Sequence, residues 1–174
     1  RHYQANSGDK LGFNSGGPYC WFPQVAFQRY IENPRFNKNE TFKTEIGALS
    51  VPTIESIQGM FPKSEWFGVT DSWAEHNYCA GDGRKHIRFM KTRLGAPINL
   101  PDFVRKSQIM NYESHKAMYE GRLTRMFNPA QGVLLWMTIP AQPSFVWQMI
   151  QYDLEPNATF FAIKNANEPI HIQY

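Results

Sequence analysis

The sequence predicts an α/β fold in which short strands alternate with helices. Three observations predict it. A strand, a turn and a helix succeed one another between Phe42 and Met60, and an unbroken apolar run, Val133-Leu134-Leu135-Trp136-Met137, follows Gly132. Between them lies a long amphipathic helix with its own start signal at Asn99.

The elements follow in order. From His2 to Pro34 the chain is dense in Gly, Asn, Ser and Pro, and Gly16-Gly17-Pro18 leads into Tyr19, Trp21 and Phe22. This reads as a long loop carrying aromatic rings, a length that in compact domains goes with function or disorder, with room for one further strand before Phe42. In Phe42-Lys43-Thr44-Glu45-Ile46-Gly47, strict alternation puts Phe42, Thr44 and Ile46 on one side of a strand and Lys43 and Glu45 on the other. Gly47 ends the strand, a small-residue turn runs through Ser50, and Pro52 is expected in the first turn of a helix over Thr53 to Met60.

Lys63 to Tyr78 reads as an aromatic loop holding Trp66, Phe67 and Trp73, followed by a helix from about Asp82 to Leu94 that stops at Gly95. Asn99, with Pro101 in the first turn and Asp102 three residues on, opens a helix to about Met126. Phe103, Met110 and Ala117 recur on one face of it, widened by Val104 and Met118. Gly121 is a place where it could end early. Asn128-Pro129 breaks the chain, and the run after Gly132 reads as a strand buried on both faces, as in parallel sheets. After the Pro140 and Pro143 loop, Ser144 is expected to cap a helix through about Tyr152, and Asn157 another through Asn165. Pro169 to Tyr174 alternates as a strand or a linker would.

A doubly wound sheet and a (β/α)8 barrel both fit this order. A complete barrel needs about 250 residues, so at 174 residues the chain would be only the later half of one.

Composition narrows the function. With 42% hydrophobic and 19% charged residues the chain can bury a core, which excludes general disorder. The formal charge of +3 is spread without a basic block beyond the loose set Arg84, Lys85, Arg88, Lys91 and Arg93, which argues against nucleic-acid binding. No apolar run approaches the ~20 residues of a membrane helix, and Arg1 to Asp9 carry no signal-peptide pattern. Cys20 and Cys79 lack metal-ligand spacing, and the histidines (His2, His76, His86, His115, His171) show neither HxH nor HExxH. No GxSxG, Walker A or GxGxxG motif occurs, so neither a cofactor nor a metal is expected.

Aromatic residues are 15% of the chain, and rings of this kind stack on sugars or fill cores. The candidate chemical residue is Glu45, because a carboxylate at the carboxyl end of a barrel strand lies on the face where such enzymes work; a surface glutamate at a strand end reads the same way. Glu55, Glu65 and Glu75 read as solvated positions. Trp136, ending the apolar run, suits the floor of a sugar site and suits core packing equally. Asn39-Glu40-Thr41 and Asn157-Ala158-Thr159 match the glycosylation sequon and carry no weight without a secretory context.

Several segments taken together resemble glycoside hydrolase family two, most closely its exo-β-D-glucosaminidase and β-mannosidase-like branch. They are Phe42 to Gly47 with Val51-Pro52-Thr53, Asp102-Phe103-Val104-Arg105-Lys106, Gly132 to Met137, Ser144 with Trp147-Gln148, and Asn167 to Tyr174. The resemblance covers nearly the whole chain in order. It implies a fragment of a large multidomain retaining exo-glycosidase. Residues 1–170 would be the C-terminal half of its (β/α)8 catalytic domain, about strands 6 to 8 with their helices, and 171–174 the start of a linker to a following β-sandwich. Glu45 matches the nucleophile on the seventh strand and Trp136 the tryptophan ending the eighth, beside the sugar; Tyr19 and Trp21 would border the pocket. The resemblance places the acid/base residue upstream, so the isolated chain is expected to be inactive. It further implies a carbohydrate substrate, the remaining domains of the parent chain as partners, and an extracellular or periplasmic location. Within the resemblance, the glucosaminidase members usually carry asparagine and tryptophan where this chain has Ile139 and Gln142. A neutral terminal hexose therefore fits as well as an amino-hexose, and a non-catalytic glycan-binding homologue is the alternative.

Overall fold

The computed structural model describes residues 13–14, 17–19, 21, 41–79, 83–128 and 130–172. Strands β1 (Phe13–Asn14), β2 (Phe42–Ile46) and β3 (Gly132–Leu135) form a parallel sheet in the order β1-β2-β3. Between β2 and β3 come α1 (Ile54–Met60), a 3-10 turn (Lys63–Glu65), α2 (Asp71–Glu75), α3 (Gly83–Leu94) and α4 (Leu100–Leu123); α5 (Ala158–Ala166) follows β3. The α/β class is the one the sequence predicts. β1 supplies the expected further strand before Phe42.

Local chemistry explains the long helix. Asn99 Oδ1 accepts from the backbone N–H of Asp102 at 2.9 Å, with Pro101 in the first turn where its missing N–H costs nothing. The Asp102 carboxylate takes bonds from Lys106 and Arg105, each at 2.8 Å, and Lys106 leads in holding it below its usual range. The helix passes Gly121 and ends at Leu123. Phe103, Val104, Met110, Ala117 and Met118 are all buried, as their spacing predicts. Two apolar clusters result. An aromatic one gathers Phe61, Trp73, Tyr78, Phe103 and Phe145, with Trp73 and Phe145 stacked at 4.8 Å. The other seats the sheet on α4 and α5 through Ile46, Ala48, Ala117, Met118 and Ala166, with Val133 and Ile163 against it.

The structure corrects five expectations. Pro52 stands before the helix rather than in its first turn, since Thr53 is the cap whose Oγ1 accepts from Ser56 N–H at 3.3 Å. Lys63 to Tyr78 is not a plain loop: it holds the 3-10 turn and α2, the latter capped by Thr70. The strand β3 is not buried on both faces, because Val133 packs toward the helices while Leu134 is 53% exposed.

No helix forms from Ser144 to Tyr152. Trp147 adopts φ +52, a left-handed conformation that a helix does not continue, and the backbone groups bond at long range instead. Phe145 N–H donates to His76 O at 3.0 Å and Phe145 O accepts from Ser50 N–H at 3.0 Å. Finally, residues 169–172 form no strand, and His171 bonds Glu120 on α4 at 2.7 Å. Tyr174 and most of the His2 to Pro34 reading lie outside the described residues.

Candidate active site

The site is built where β2 and β3 end. Strand pairing runs Phe42↔Gly132 and Lys43↔Val133, then shifts, so that Ile46 meets Leu135 and three steps along β2 match two along β3. Such an irregularity turns side chains away from simple alternation. Lys43 and Ile46, expected on opposite faces, are both buried, at 2% and 3% exposure. Glu45 lies inside the irregularity and keeps part of its surface open.

Tyr19 reaches Glu45 across 26 positions in sequence: its hydroxyl donates to Glu45 Oε2 at 2.5 Å. That is the range of a charge-assisted O–H···O⁻ bond. Burial first, and then the neighbouring Glu45 carboxylate, push the Tyr19 phenol well above its ordinary value, so it stays protonated and remains a donor.

Three backbone contacts hold the surrounding segments together. Gly47 N–H donates to Pro18 O at 2.9 Å, Trp136 N–H to Ile46 O at 2.8 Å, and Met137 N–H to Trp147 O at 2.7 Å. Glycine is required at position 47: a Cβ there would stand 2.5 Å from Trp136 O and 3.2 Å from Trp147 Cβ. Trp136 therefore leaves the sheet directly beside the exit of Glu45's strand, with 44% of its surface exposed.

The predicted residues divide cleanly. Tyr19 is bonded to Glu45, and the Trp136 backbone is bonded to Ile46, the residue after Glu45. Trp21 is placed elsewhere: it is 7% exposed, its ring 4.7 Å from Phe89 and within the aromatic core. Trp147, quoted only as part of a motif, is the residue that sequence reasoning gave no role. Its indole N–H donates to Tyr19 O at 3.0 Å and its ring lies 5.5 Å from that of Tyr19. The expected helix hid it. The prolines at 140 and 143 and the aromatic density were the signals that could have suggested a loop folded onto the site.

His115 braces the turn behind Glu45. Its Nε2 accepts from Ala48 N–H at 3.2 Å and its Nδ1 lies 2.8 Å from Asn111 O, an arrangement that requires a neutral ring with the proton on Nδ1. Burial lowers its pKa to about 4, in keeping with that neutral form. Ser50 and Thr159 complete the buried network, the two hydroxyls 3.2 Å apart. Asn157 of the second sequon is buried, its amide donating to Gln148 O at 2.9 Å, so its side chain is a structural cap. Among the described residues no group of three or more His, Cys, Asp or Glu could hold a metal ion, and no helix is long and apolar enough to cross a membrane.

No family model matches the chain. Among curated proteins it is similar to the exo-β-D-glucosaminidase of Amycolatopsis orientalis, 30% identical over 94% of this chain and 17% of that protein. The exo-β-D-glucosaminidase of Streptomyces avermitilis is 31% identical over 94% of this chain and 19% of its own length. Over nearly its whole length the chain is similar to proteins named exo-β-D-glucosaminidase, and over most of it to β-mannosidases. This is the branch of glycoside hydrolase family two that its residues resemble. Among solved structures, the A. orientalis exo-chitosanase CsxA matches with TM-score 0.72 and 27% identity over 94% of this chain and 20% of that one. The β-D-mannosidase of Dictyoglomus thermophilum shares the fold with TM-score 0.73 at 19% identity, over 89% of this chain and 18% of its own. The chain thus spans about a fifth of the length of these glycosidases.

Proposed function

We propose that the chain is the later part of the catalytic (β/α)8 barrel of a retaining exo-β-glycosidase, with Glu45 as its nucleophile. The observation that carries this reading is the Tyr19 hydroxyl on Glu45 Oε2 at 2.5 Å, at the carboxyl end of a parallel strand whose next residue, Ile46, accepts from the backbone N–H of the exposed Trp136. In such barrels the catalytic groups stand at the carboxyl ends of strands. In this reading β1, β2 and β3 are about strands 6 to 8, residues 1–170 belong to the catalytic domain, and 171–174 begin the link to the next domain.

The chemistry follows from the two-carboxylate scheme. One Glu45 oxygen attacks the anomeric carbon, the glycosidic C–O bond breaks, and the departing oxygen takes a proton from an acid in another part of the parent protein, about 5–5.5 Å from Glu45. Water, deprotonated by the same group, then displaces Glu45 from the sugar and the β configuration is restored. The Tyr19 hydroxyl keeps one carboxylate oxygen occupied, which leaves the other to attack. Trp136 offers a ring on which the apolar face of a pyranose stacks. Trp21 is buried against Phe89 in the aromatic core and is given no contact with the sugar.

The substrate is a terminal β-linked amino-hexose or hexose. The relatives' names and the CsxA complex with PNP-β-D-glucosamine support the amino sugar; the mannosidases support the neutral one. An extracellular or periplasmic location for the parent protein rests on the family resemblance of its residues alone. The test is Glu45→Gln in the full-length protein, expected to lower turnover of a nitrophenyl β-glycoside by several orders of magnitude, each tenfold being about 1.4 kcal/mol of barrier. A 2-fluoro sugar should label the peptide carrying Glu45. An undiminished rate, or a label on another residue, would remove Glu45 from this role.

A further inference from the structure

We infer that Trp147 is a positioning residue that sets the Tyr19 hydroxyl on Glu45, joining the segments that build the site. This rests on the reading of Glu45 given above.

Tyr19 comes from a segment far from β2 in sequence, which is anchored beside it by Gly47 N–H on Pro18 O at 2.9 Å and packs its ring over the bare Cα of Gly17. Trp147 holds Tyr19 through two contacts and is itself tied to the neighbouring strand exits through two more. Its indole N–H fixes the Tyr19 carbonyl at 3.0 Å. Its ring flanks the Tyr19 ring at 5.5 Å, tilted by 48°, which blocks rotation of the phenol toward the 144–151 segment. Its own carbonyl accepts from Met137 N–H at 2.7 Å, next to Trp136. Its Cβ lies against the bare Cα of Gly47, 3.2 Å from where a side chain would begin. One residue thus touches the Tyr19 segment, the exit of Glu45's strand and the exit of Trp136's strand.

The backbone of Trp147 shows the same assignment. It sits at φ +52, a region that a bulky residue avoids unless its surroundings require it. A residue serving only as core filler could be presented from the ordinary conformation that the local sequence favours. Here the unusual conformation is what directs the indole toward Tyr19 and the carbonyl toward Met137.

The experiment is a double-mutant cycle in the full-length protein between Trp147→Phe, which keeps a ring but removes the N–H donor, and Tyr19→Phe, which removes the hydroxyl. Each single variant is expected to lower kcat by about tenfold with KM within about twofold, because the substrate's binding contacts stay in place. In the Tyr19→Phe background, Trp147→Phe should cost less than about twofold, since the group it positions is already gone. Losses that multiply in full would overturn the inference while leaving Glu45 untouched; an active Glu45→Gln variant would instead overturn the reading of the nucleophile. A readout independent of turnover is the ultraviolet titration of the tyrosine that Tyr19→Phe removes. It should ionise well above the ordinary value of about 10 in the parent protein and nearer to it with Trp147→Phe. If the full-length protein has no glycosidase activity this titration decides alone, and an unchanged titration counts against Trp147.

Discussion

At the scale of single residues, the site depends on groups kept in one protonation state by what surrounds them. His86 and His115 are both buried, and burial lowers their pKa values to about 3 and about 4. In the unfolded chain each titrates near 6.5. As pH falls below that value the unfolded chain takes up protons that the folded one refuses, so stability is complete above about 6.5 and drains away toward 4 for His115 and toward 3 for His86, by at most about 1.4 kcal/mol per pH unit for each histidine. Hydrogen exchange in the full-length protein, corrected for intrinsic rates, should show Ala48 and the Asn111 to His115 turn opening more readily at pH 5 than at pH 7. His115→Gln presents an acceptor near the position of Nε2 and should keep Ala48 protected while weakening the pH dependence. His115→Asn, whose shorter amide mimics only Nδ1, should leave the Ala48 N–H unpaired and its protection reduced. Equal protection in the two variants would show that the ring serves volume alone. Gly47 makes an equally direct prediction: Gly47→Ala places a methyl 2.5 Å from Trp136 O, and the full-length variant should lose activity even if it folds.

At the scale of elements, the two helices that carry the sheet are specified by their ends. Asn99→Ala removes the acceptor for Asp102 N–H and should destabilise α4 by about 1 kcal/mol, measured as lost protection in its first turn. Asn157→Ala should cost more, because the buried side chain both caps α5 through Thr159 N–H at 2.8 Å and donates to Gln148 O at 2.9 Å. The loop between β3 and α5 behaves oppositely. Ser144 matches a cap by type, yet Phe145 is fully buried in the aromatic cluster and its backbone is spoken for by Ser50 and His76. A helix there would have to be built without withdrawing Phe145 from that cluster, and the left-handed backbone of Trp147 does not continue one.

At the scale of the whole molecule, β3 ends the three-stranded sheet among the described residues, and its Leu134 and the adjoining Trp136 and Ile139 are exposed. An open strand edge with apolar neighbours promotes association. The 174-residue chain expressed alone should therefore be oligomeric or aggregation-prone by light scattering, and inert toward nitrophenyl β-glycosides because it would hold one carboxylate of the two required. A cooperatively unfolding monomer would count against the half-barrel reading, and turnover by the fragment would place both carboxylates within it.

What the sequence determined by itself is the set of elements whose causes are local. Strand β2 and its glycine stop, α4 with its asparagine cap and buried stripe, and α5 with Asn157 can each be read from a window of a dozen residues, because capping and periodicity act over one or two turns. Glu45 and Trp136 were legible as candidates because they close such elements. Only the tertiary structure decided that the strand pairing slips between Lys43 and Ile46, that Trp21 belongs to the core, and that residues 144–152 refuse a helix to present Trp147. Each of these turns on a partner far away in the chain: Val133 and Leu135 for β2, Phe89 for Trp21, Ser50, His76 and Tyr19 for the Trp147 loop. A backbone group satisfied by a distant partner leaves no periodic trace around itself, so the contacts that assemble the site were the part of the molecule that only its folding could settle.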